Sequence, residues 1–300
     1  RDLVRSRGLG DVYKRQVCNM RPTPAYNTEL ISQALMGTPV RILEDRSGWA
    51  YIRTPDSYEG WVSLQSIVKM EGPDFEEWKG SVRLLYLEKY GDVLVDTLSG
   101  EILSDIVAGT IIRHYETKGN YSMVFLPDGR PAYIDRDKAI VFDRWLEEEG
   151  LKEEKLKEIA KSFKGLPYLW GGTSSKAFDC SGFTRTVYYL NGIILERDAS
   201  RQFRHGIKLG KEAYPDSLNT GDLLFFGHVR EGISTPTHVG MYIGDTEFIH
   251  ASGTVKINSL DSSRGNFSRS RRDAFLGVRR IIGAEPGEGI QPVSSHPWYK

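Results

Sequence analysis

From Val17 to Val68 apolar and polar positions alternate in short runs, Val40-Arg-Ile-Leu43, Trp49-Ala-Tyr-Ile52 and Gly60-Trp-Val62, with Ser47-Gly48 and Pro55-Asp56 between them. Runs this short, bounded by turn residues, predict the strands of a small closed barrel. The pattern then recurs at an offset of 72 residues. Gly37-Thr38 matches Gly109-Thr110, Arg41 matches Arg113, and Pro55-Asp56 matches Pro127-Asp128. At the same offset Trp49 is answered by Tyr121, Ile52 by Val124, Trp61 by Tyr133 and Val62 by Ile134. Identities and aromatic exchanges at one constant offset predict two copies of one fold, over residues 17–72 and 80–142. Such small barrels can be spacers or binding modules, and the pattern alone does not choose.

After residue 142 the period changes. Trp145, Leu146, Leu151, Leu156, Ile159, Ala160 and Phe163 fall at helical intervals among Glu and Lys, with a break at Gly150. This predicts a helical connector over 143–164 whose charged positions form a solvated face. A turn-rich loop from Gly165 leads to Phe183, Val187 and Leu190 at helical spacing, and Asn191-Gly192 ends that helix. Gly221-Asp-Leu-Leu-Phe-Phe226 reads as a buried strand. Thr237-His-Val-Gly-Met-Tyr-Ile243 and Glu247-Phe-Ile-His-Ala251 read as a hairpin about Gly244-Asp245. For both histidines to share a face the loop must hold an odd number of residues; a loop of 244–246, a register inferred from this requirement, pairs Ile243 with Glu247 and leaves His250 diagonal to His238. A helix is thus followed by strands; the resemblance named below makes this an α+β domain over 160–284, with a tail at 285–300.

The candidate chemistry lies in this domain. Cys180 precedes the helix, where unpaired N–H groups and the macrodipole favour thiolate over thiol, so its pKa is expected below the ordinary value of about 8.5. A buried structural cysteine is the alternative for any lone Cys. A single strand histidine is likewise usually a satisfied, non-catalytic residue, but two on one hairpin after a helix-start cysteine form a set. A thiol needs a base, and the base needs a third group to fix its tautomer; Cys180, His238 and His250 can fill those roles in that order. A zinc site is the weaker reading, because the set lacks paired ligand spacing and an obvious fourth ligand. His114, His205, His228 and His296 have no comparable placement, and Cys18 reads as a packed residue of a first strand.

The 300-residue chain is 39% apolar, enough for two or three domains with real cores, and its 40 Lys and Arg balance 40 Asp and Glu. Zero net charge gives no support to a nucleic-acid partner. No apolar run is long enough to span a membrane, and no signal-peptide pattern is present. Residues 1–16 read as a non-native or disordered extension, with Gly10 to Gln16 resembling translated adapter sequence, so the native N-terminus is expected to be missing. The cell envelope is the expected location, with the cytoplasm left open for that reason.

Pro167-Tyr-Leu-Trp-Gly-Gly172, Asp179-Cys-Ser-Gly-Phe183, Gly221-Asp-Leu-Leu-Phe-Phe226, His238-Val-Gly and Ile249-His250-Ala together resemble the motif series of the NlpC/p60 cysteine peptidases, from about residue 160 to 282. The resemblance implies a papain-like α+β fold and cleavage of bacterial cell-wall peptides without cofactor or metal. It makes Cys180 the nucleophile, His238 the base, His250 the orienting residue and Tyr168 a neighbour of the oxyanion. The two repeated segments resemble bacterial SH3-like barrels. That arrangement, with Glu196-Arg-Asp198-Ala-Ser200-Arg-Gln202, is similar to the YkfC-type γ-D-glutamyl-L-diamino acid endopeptidases. The implied partner is a murein stem peptide with a free L-Ala amine, held by Glu29, Tyr58 and Asp198, while Asp179 and Ser181 flank γ-D-Glu and Ser200 completes the set. Ala199 stands where relatives use a serine. Tyr58 is answered by Arg130 and Gly60 by Ala132, so the second copy lacks this tip. The expected enzyme is a monomer that cleaves the γ-D-Glu to diamino-acid bond. A broader hydrolase of intact peptidoglycan anchored by its barrels, or a wall-binding protein with an idle catalytic domain, are the rivals.

Overall fold

The structure is a computed structural model that describes residues 11–13, 16–148 and 152–300. The chain divides into two units: 1–149 with Ser174–Lys176 and Ser294–Lys300, and 150–173 with Ala177–Val293.

The first unit opens with strands β1 (Asp11–Tyr13), β2 (Val17–Met20), β3 (Ser32–Leu35), β4 (Pro39–Arg46), β5 (Trp49–Arg53), β6 (Glu59–Ser63) and β7 (Ile67–Val68). Five of them form an antiparallel sheet in the order β6-β5-β4-β1-β7, and β2 pairs with β3. Cys18, Met20, Val40, Ala50, Ile52 and Val62 fill the core between them. Helix α1 (Gly72–Gly80) follows, with Pro73 in its first turn and Phe75 and Trp78 buried one turn apart. The sequence pattern did not resolve this short helix, which carries two apolar anchors and one turn of amphipathicity.

Strands β8 (Arg83–Tyr86), β9 (Tyr90–Leu94), β10 (Ile102–Val107), β11 (Ile111–Lys118), β12 (Tyr121–Phe125), β13 (Pro131–Asp135) and β14 (Ala139–Val141) make a seven-stranded sheet in the order β10-β9-β13-β12-β11-β8-β14. The bounds of β11, β12 and β13 are those of β4, β5 and β6 plus 72. The register shift after Ile42 recurs after His114, also 72 residues on. The pairing repeats too, since Tyr51↔Trp61 becomes Met123↔Tyr133.

This repeat explains β1. The expected extension at residues 1–16 lies partly outside the described residues, but Asp11–Tyr13 is a strand seated between β4 and β7, as β8 sits between β11 and β14. Without it two inner edges of the first sheet would be unpaired. The expected tail is also built in. Tyr299 accepts a hydrogen bond from buried Arg83 at 3.0 Å, and the Arg83 guanidinium lies 4.9 Å and 4.7 Å from the Trp78 and Phe142 ring centres.

Helix α2 (Phe142–Glu148) ends the first unit, and α3 (Glu153–Ser162) begins the second. The break expected at Gly150 falls outside the described residues. β15 (Thr173–Ser174) falls at the division of the two units, and the rest of the second unit comprises β16 (Ala177–Phe178), α4 (Cys180–Tyr189), β17 (Ile193–Leu195), α5 (Ala199–Gln202), β18 (Ile207–Leu209), β19 (Leu223–Arg230), β20 (Ile233–Gly244), β21 (Glu247–Ser252), β22 (Thr254–Ser259), α6 (Arg269–Asp273), β23 (Phe275–Arg280) and β24 (Ile290–Pro292). Six strands form an antiparallel sheet in the order β18-β23-β19-β20-β21-β22, and β24 pairs with β17. Helices α4 and α5 pack on β20. Phe183 and Val187 of α4 are fully buried, and Phe163, Phe178 and Phe183 form an edge-on aromatic row with ring centres 5.1 Å and 5.8 Å apart.

Helix α4 approaches the Gly171–Gly172 turn so closely that a side chain at its third residue has no room. A Cβ at Gly182 would lie 2.0 Å from the Gly172 carbonyl oxygen, a backbone atom that cannot swing aside. Gly182→Ala is therefore expected to cost about 3 kcal/mol or more, at or beyond the upper end for overpacking, and to displace Cys180. Urea unfolding and peptidase assays check this; unchanged stability would show that the turn yields freely.

Candidate active site

Asp179 organises the start of α4. Its Oδ1 accepts the Gly182 N–H at 2.7 Å as the N-cap, and its Oδ2 accepts the Gly171 N–H at 3.0 Å. Gly171 can present that N–H because it adopts φ +77°. Arg197 closes the arrangement with a two-pronged pair to both carboxylate oxygens, and its Nη1 also reaches Ser181 Oγ at 3.1 Å. Arg197 and Asp179 are both buried, so each charge is compensated by the other. Asp179 and Ser181, expected beside the substrate, are thus engaged inside the domain. Sequence reasoning missed Arg197, which stands between two acidic residues and reads as surface charge.

Cys180 is the first residue of α4, 8% exposed, with its sulfur receiving the backbone N–H groups of Val239 and Ser181. Val239 follows His238 on β20, so the thiol lies against the strand that carries the histidine. The hairpin reaches the expected inner register by another route. Asp245 and Thr246 form a two-residue turn, both with positive φ, and Gly244 pairs with Glu247. A bulge before Gly244 then restores Tyr242↔Phe248 and Met241↔Ile249, so one extra residue in the strand replaces the third loop residue.

His238 Nε2 lies 2.7 Å from His250 Nδ1, with ring planes at 87°. His250 Nε2 lies 2.9 Å from Asn258 Oδ1 on β22. Asn258 Nδ2 donates to the Asn266 carbonyl at 2.9 Å, and Asn266 Nδ2 donates to Glu247 at 2.8 Å. A carbonyl can only accept, so the orientation of the Asn258 amide follows. Its Oδ1 faces His250 and takes the Nε2 proton. His250 Nδ1 is then an acceptor, His238 Nε2–H the donor, and His238 Nδ1 is the bare nitrogen able to take a proton from a thiol. Asn258 is a fourth member that the sequence did not disclose. A strand asparagine carries no signal until β22 is registered against β21, with Phe248 opposite Asn258.

Burial sets the protonation states. It holds His238 well below the usual imidazole range, helped by Arg271, His250 and Lys256, and lowers His250 to about 4. It also pushes the Cys180 thiol up to about 11, with Asp179 adding to the rise and the Val239 and Ser181 N–H groups and Arg197 opposing it. The expected low thiol pKa is therefore corrected. The helix start is present, but desolvation and the capping carboxylate outweigh it. Tyr168, raised by burial to about 12 with Cys180 and Asp179 as neighbours, keeps its phenolic proton and can donate.

Asp198 is the N-cap residue that precedes α5, half-buried and within 3.5 Å of Arg201, and Ser200 is exposed on that helix. Glu29 is exposed in the first unit, where Tyr58 packs partly against the first core. His205 pairs with Glu196 at 3.0 Å and His296 lies 3.2 Å from the Pro55 carbonyl, both apart from the Cys-His-His set.

Two outcomes follow. Alkylation of Cys180 by iodoacetamide is expected to rise about tenfold per pH unit from pH 7 to 10, because the thiol ionises only towards 11. Mass spectrometry of the Cys180 peptide measures it, and a plateau below pH 8 would indicate a preformed thiolate. Loss of activity is expected to fall in the order His238→Ala, His250→Ala, Asn258→Ala, since each step outward only orients the next ring. Equal inactivation by all three, with folding intact, would reject this division of roles.

The NlpC/P60 family model matches residues 165–272, and a bacterial dipeptidyl-peptidase SH3 domain model matches residues 20–67. A dipeptidyl-peptidase 6 of Lysinibacillus sphaericus is 30% identical over 82% of this chain and 89% of its own length. A γ-D-glutamyl-L-lysine dipeptidyl-peptidase of Bacillus cereus is 28% identical over 85% of this chain and 76% of its own. The crystal structure of an NlpC/P60 family protein from Bacillus cereus superposes with a TM-score of 0.79 at 23% identity, over 91% of this chain and 99% of that one. With a relative 30% identical along most of both chains and the motif residues gathered at the start of α4 and on β20 and β21, the chain belongs to the NlpC/P60 family, its papain-like domain preceded by an SH3 domain.

Proposed function

We propose that this chain is a cysteine peptidase that hydrolyses the γ-D-Glu to diamino-acid bond of murein stem peptides. The observation that carries the reading is the hydrogen-bond chain His238–His250–Asn258 beside Cys180, which leaves one imidazole nitrogen bare. The relatives named for γ-D-glutamyl-L-lysine cleavage support the bond.

In this reading substrate binding expels water, His238 Nδ1 takes the Cys180 proton, and the sulfur attacks the amide carbon. The resting pair is neutral, so proton transfer accompanies attack. The Tyr168 hydroxyl and the Cys180 N–H, which has no intrahelical acceptor at the first position of α4, stabilise the oxyanion. His238 returns the proton to the leaving amine, a thioester forms, and water hydrolyses it by the reverse proton path. Arg197 and Asp179 hold the helix start in place.

The finer elements of the proposal concern specificity. The seven-stranded sheet is a second SH3-like barrel, a reading supported by the 72-residue recurrence of its strands. Asp198 receives the free amine of L-Ala; a carboxylate suits an ammonium group. Asp198 precedes α5, which packs on the strand of His238. The enzyme then acts on released peptides of the cell envelope in preference to glycan-linked stems, whose L-Ala nitrogen is an amide.

The test compares L-Ala-γ-D-Glu-L-Lys with its N-acetyl form and with sacculi. Acetylation is expected to lower kcat/KM by roughly 30-fold to several thousand-fold, matching the ~2–5 kcal/mol for a buried charge left unpaired. Asp198→Ala should abolish most of that difference, and Cys180→Ala should abolish turnover while remaining folded. Equal rates on free and acetylated peptide would favour the general wall hydrolase.

A further inference from the structure

Arg271, on the short helix α6, is a cation beside the active site that the mechanism above does not use. Its guanidinium lies 5.8 Å from the centre of the Phe226 ring, and that ring is 5.8 Å from the ring of His238. On its other side Arg271 Nη2 reaches Ser252 Oγ at 3.3 Å. Ser252 is two residues beyond His250 and next to Gly253, whose carbonyl accepts the Tyr168 N–H at 2.9 Å. These contacts set the guanidinium against the ring that neighbours His238 and against the strand end that follows His250.

Arg271 is half-buried and has no acidic partner among the described residues, whereas Arg197, Arg280 and Arg201 each have one. One serine hydroxyl and an aromatic face leave most of its five donors available. A half-buried guanidinium in this condition suits an incoming anion, and its planar fork fits a carboxylate. Both residues flanking the proposed scissile bond carry one, the α-carboxylate of γ-linked D-Glu and that of the diamino acid.

We propose that Arg271 is a substrate-binding residue that receives a carboxylate of the acidic peptide within one residue of the scissile bond. The inference rests on the peptidase reading above and adds the group that recognises the substrate's negative charge. Electrostatic coupling of Arg271 to Cys180 and Tyr168 agrees with the placement.

The experiment measures kcat/KM on three peptides: L-Ala-γ-D-Glu-L-Lys, the same peptide with its C-terminus amidated, and the same peptide with the D-Glu α-carboxylate amidated. The intact enzyme is expected to lose about 10- to 100-fold on one amidated peptide, the scale of a hydrogen bond to a charged group. The peptide that loses identifies the carboxylate. Arg271→Ala should slow cleavage of the unmodified peptide by a similar factor and no longer distinguish it from that amide, with Arg271→Lys intermediate. Intact enzyme that cleaves all three peptides equally overturns the proposal, as does an Arg271→Ala variant that keeps the full discrimination. Failure to cleave any of the three would instead reject the peptidase reading on which it stands, so the two failures are distinguishable.

Discussion

The buried pair of Asp179 and Arg197 is the constraint on which the site depends. Asp179 caps α4, holds the Gly171 turn and neutralises Arg197 with the same two oxygens. Losing either partner would strand a charge in the interior, a change that typically costs about 3–5 kcal/mol. The tight approach of Gly182 to Gly172 makes the geometry more exacting still. The position of the sulfur therefore follows from this network.

That network has a chemical consequence. Burial opposes thiolate formation and the capping carboxylate beside the cysteine adds to it, so Cys180 rests as a thiol. The histidines are neutral for the same reason: charge is costly where water is excluded. A neutral imidazole is what a general base requires, and the asparagine at the end of the chain fixes the tautomer without adding a charge that would stabilise imidazolium. His250 also ties stability to pH. Its folded-state value of about 4 lies below its ordinary value of 6.5, so the unfolded chain binds the proton more readily. That contribution is present above about pH 6.5 and is lost as pH falls towards 4.

Much of this was legible in the sequence because local rules and tertiary demands agree. The strand bounds of the two sheets recur at the offset that matched residues suggested, since each matched aromatic fills an equivalent place in the pleat. Cys180, His238 and His250 were legible as a set because motif spacing reports a helix start and a hairpin. Asn258 and Arg197 were not, since their roles arise only from register and burial. The thiol pKa was misread because the helix dipole is visible in sequence while desolvation is not. The strand at Asp11–Tyr13 carries no sequence signal because it fills a slot between β4 and β7, a demand made by the sheet and not by those three residues.

The electrostatics of the resting site also bear on when it becomes active. Arg271 and Lys256 both depress the basicity of His238, so two cations hold the base weak in the absence of substrate. An anion bound at Arg271 would offset the larger of these two influences, and His238 would become a better proton acceptor at the moment the amide is in place. The same anion would disfavour a free thiolate, so the gain goes to the proton-transfer path and not to spontaneous ionisation of Cys180. A buried, neutral pair of this kind reacts slowly with small electrophiles near neutral pH, and an anion bound at Arg271 would raise the basicity of its imidazole.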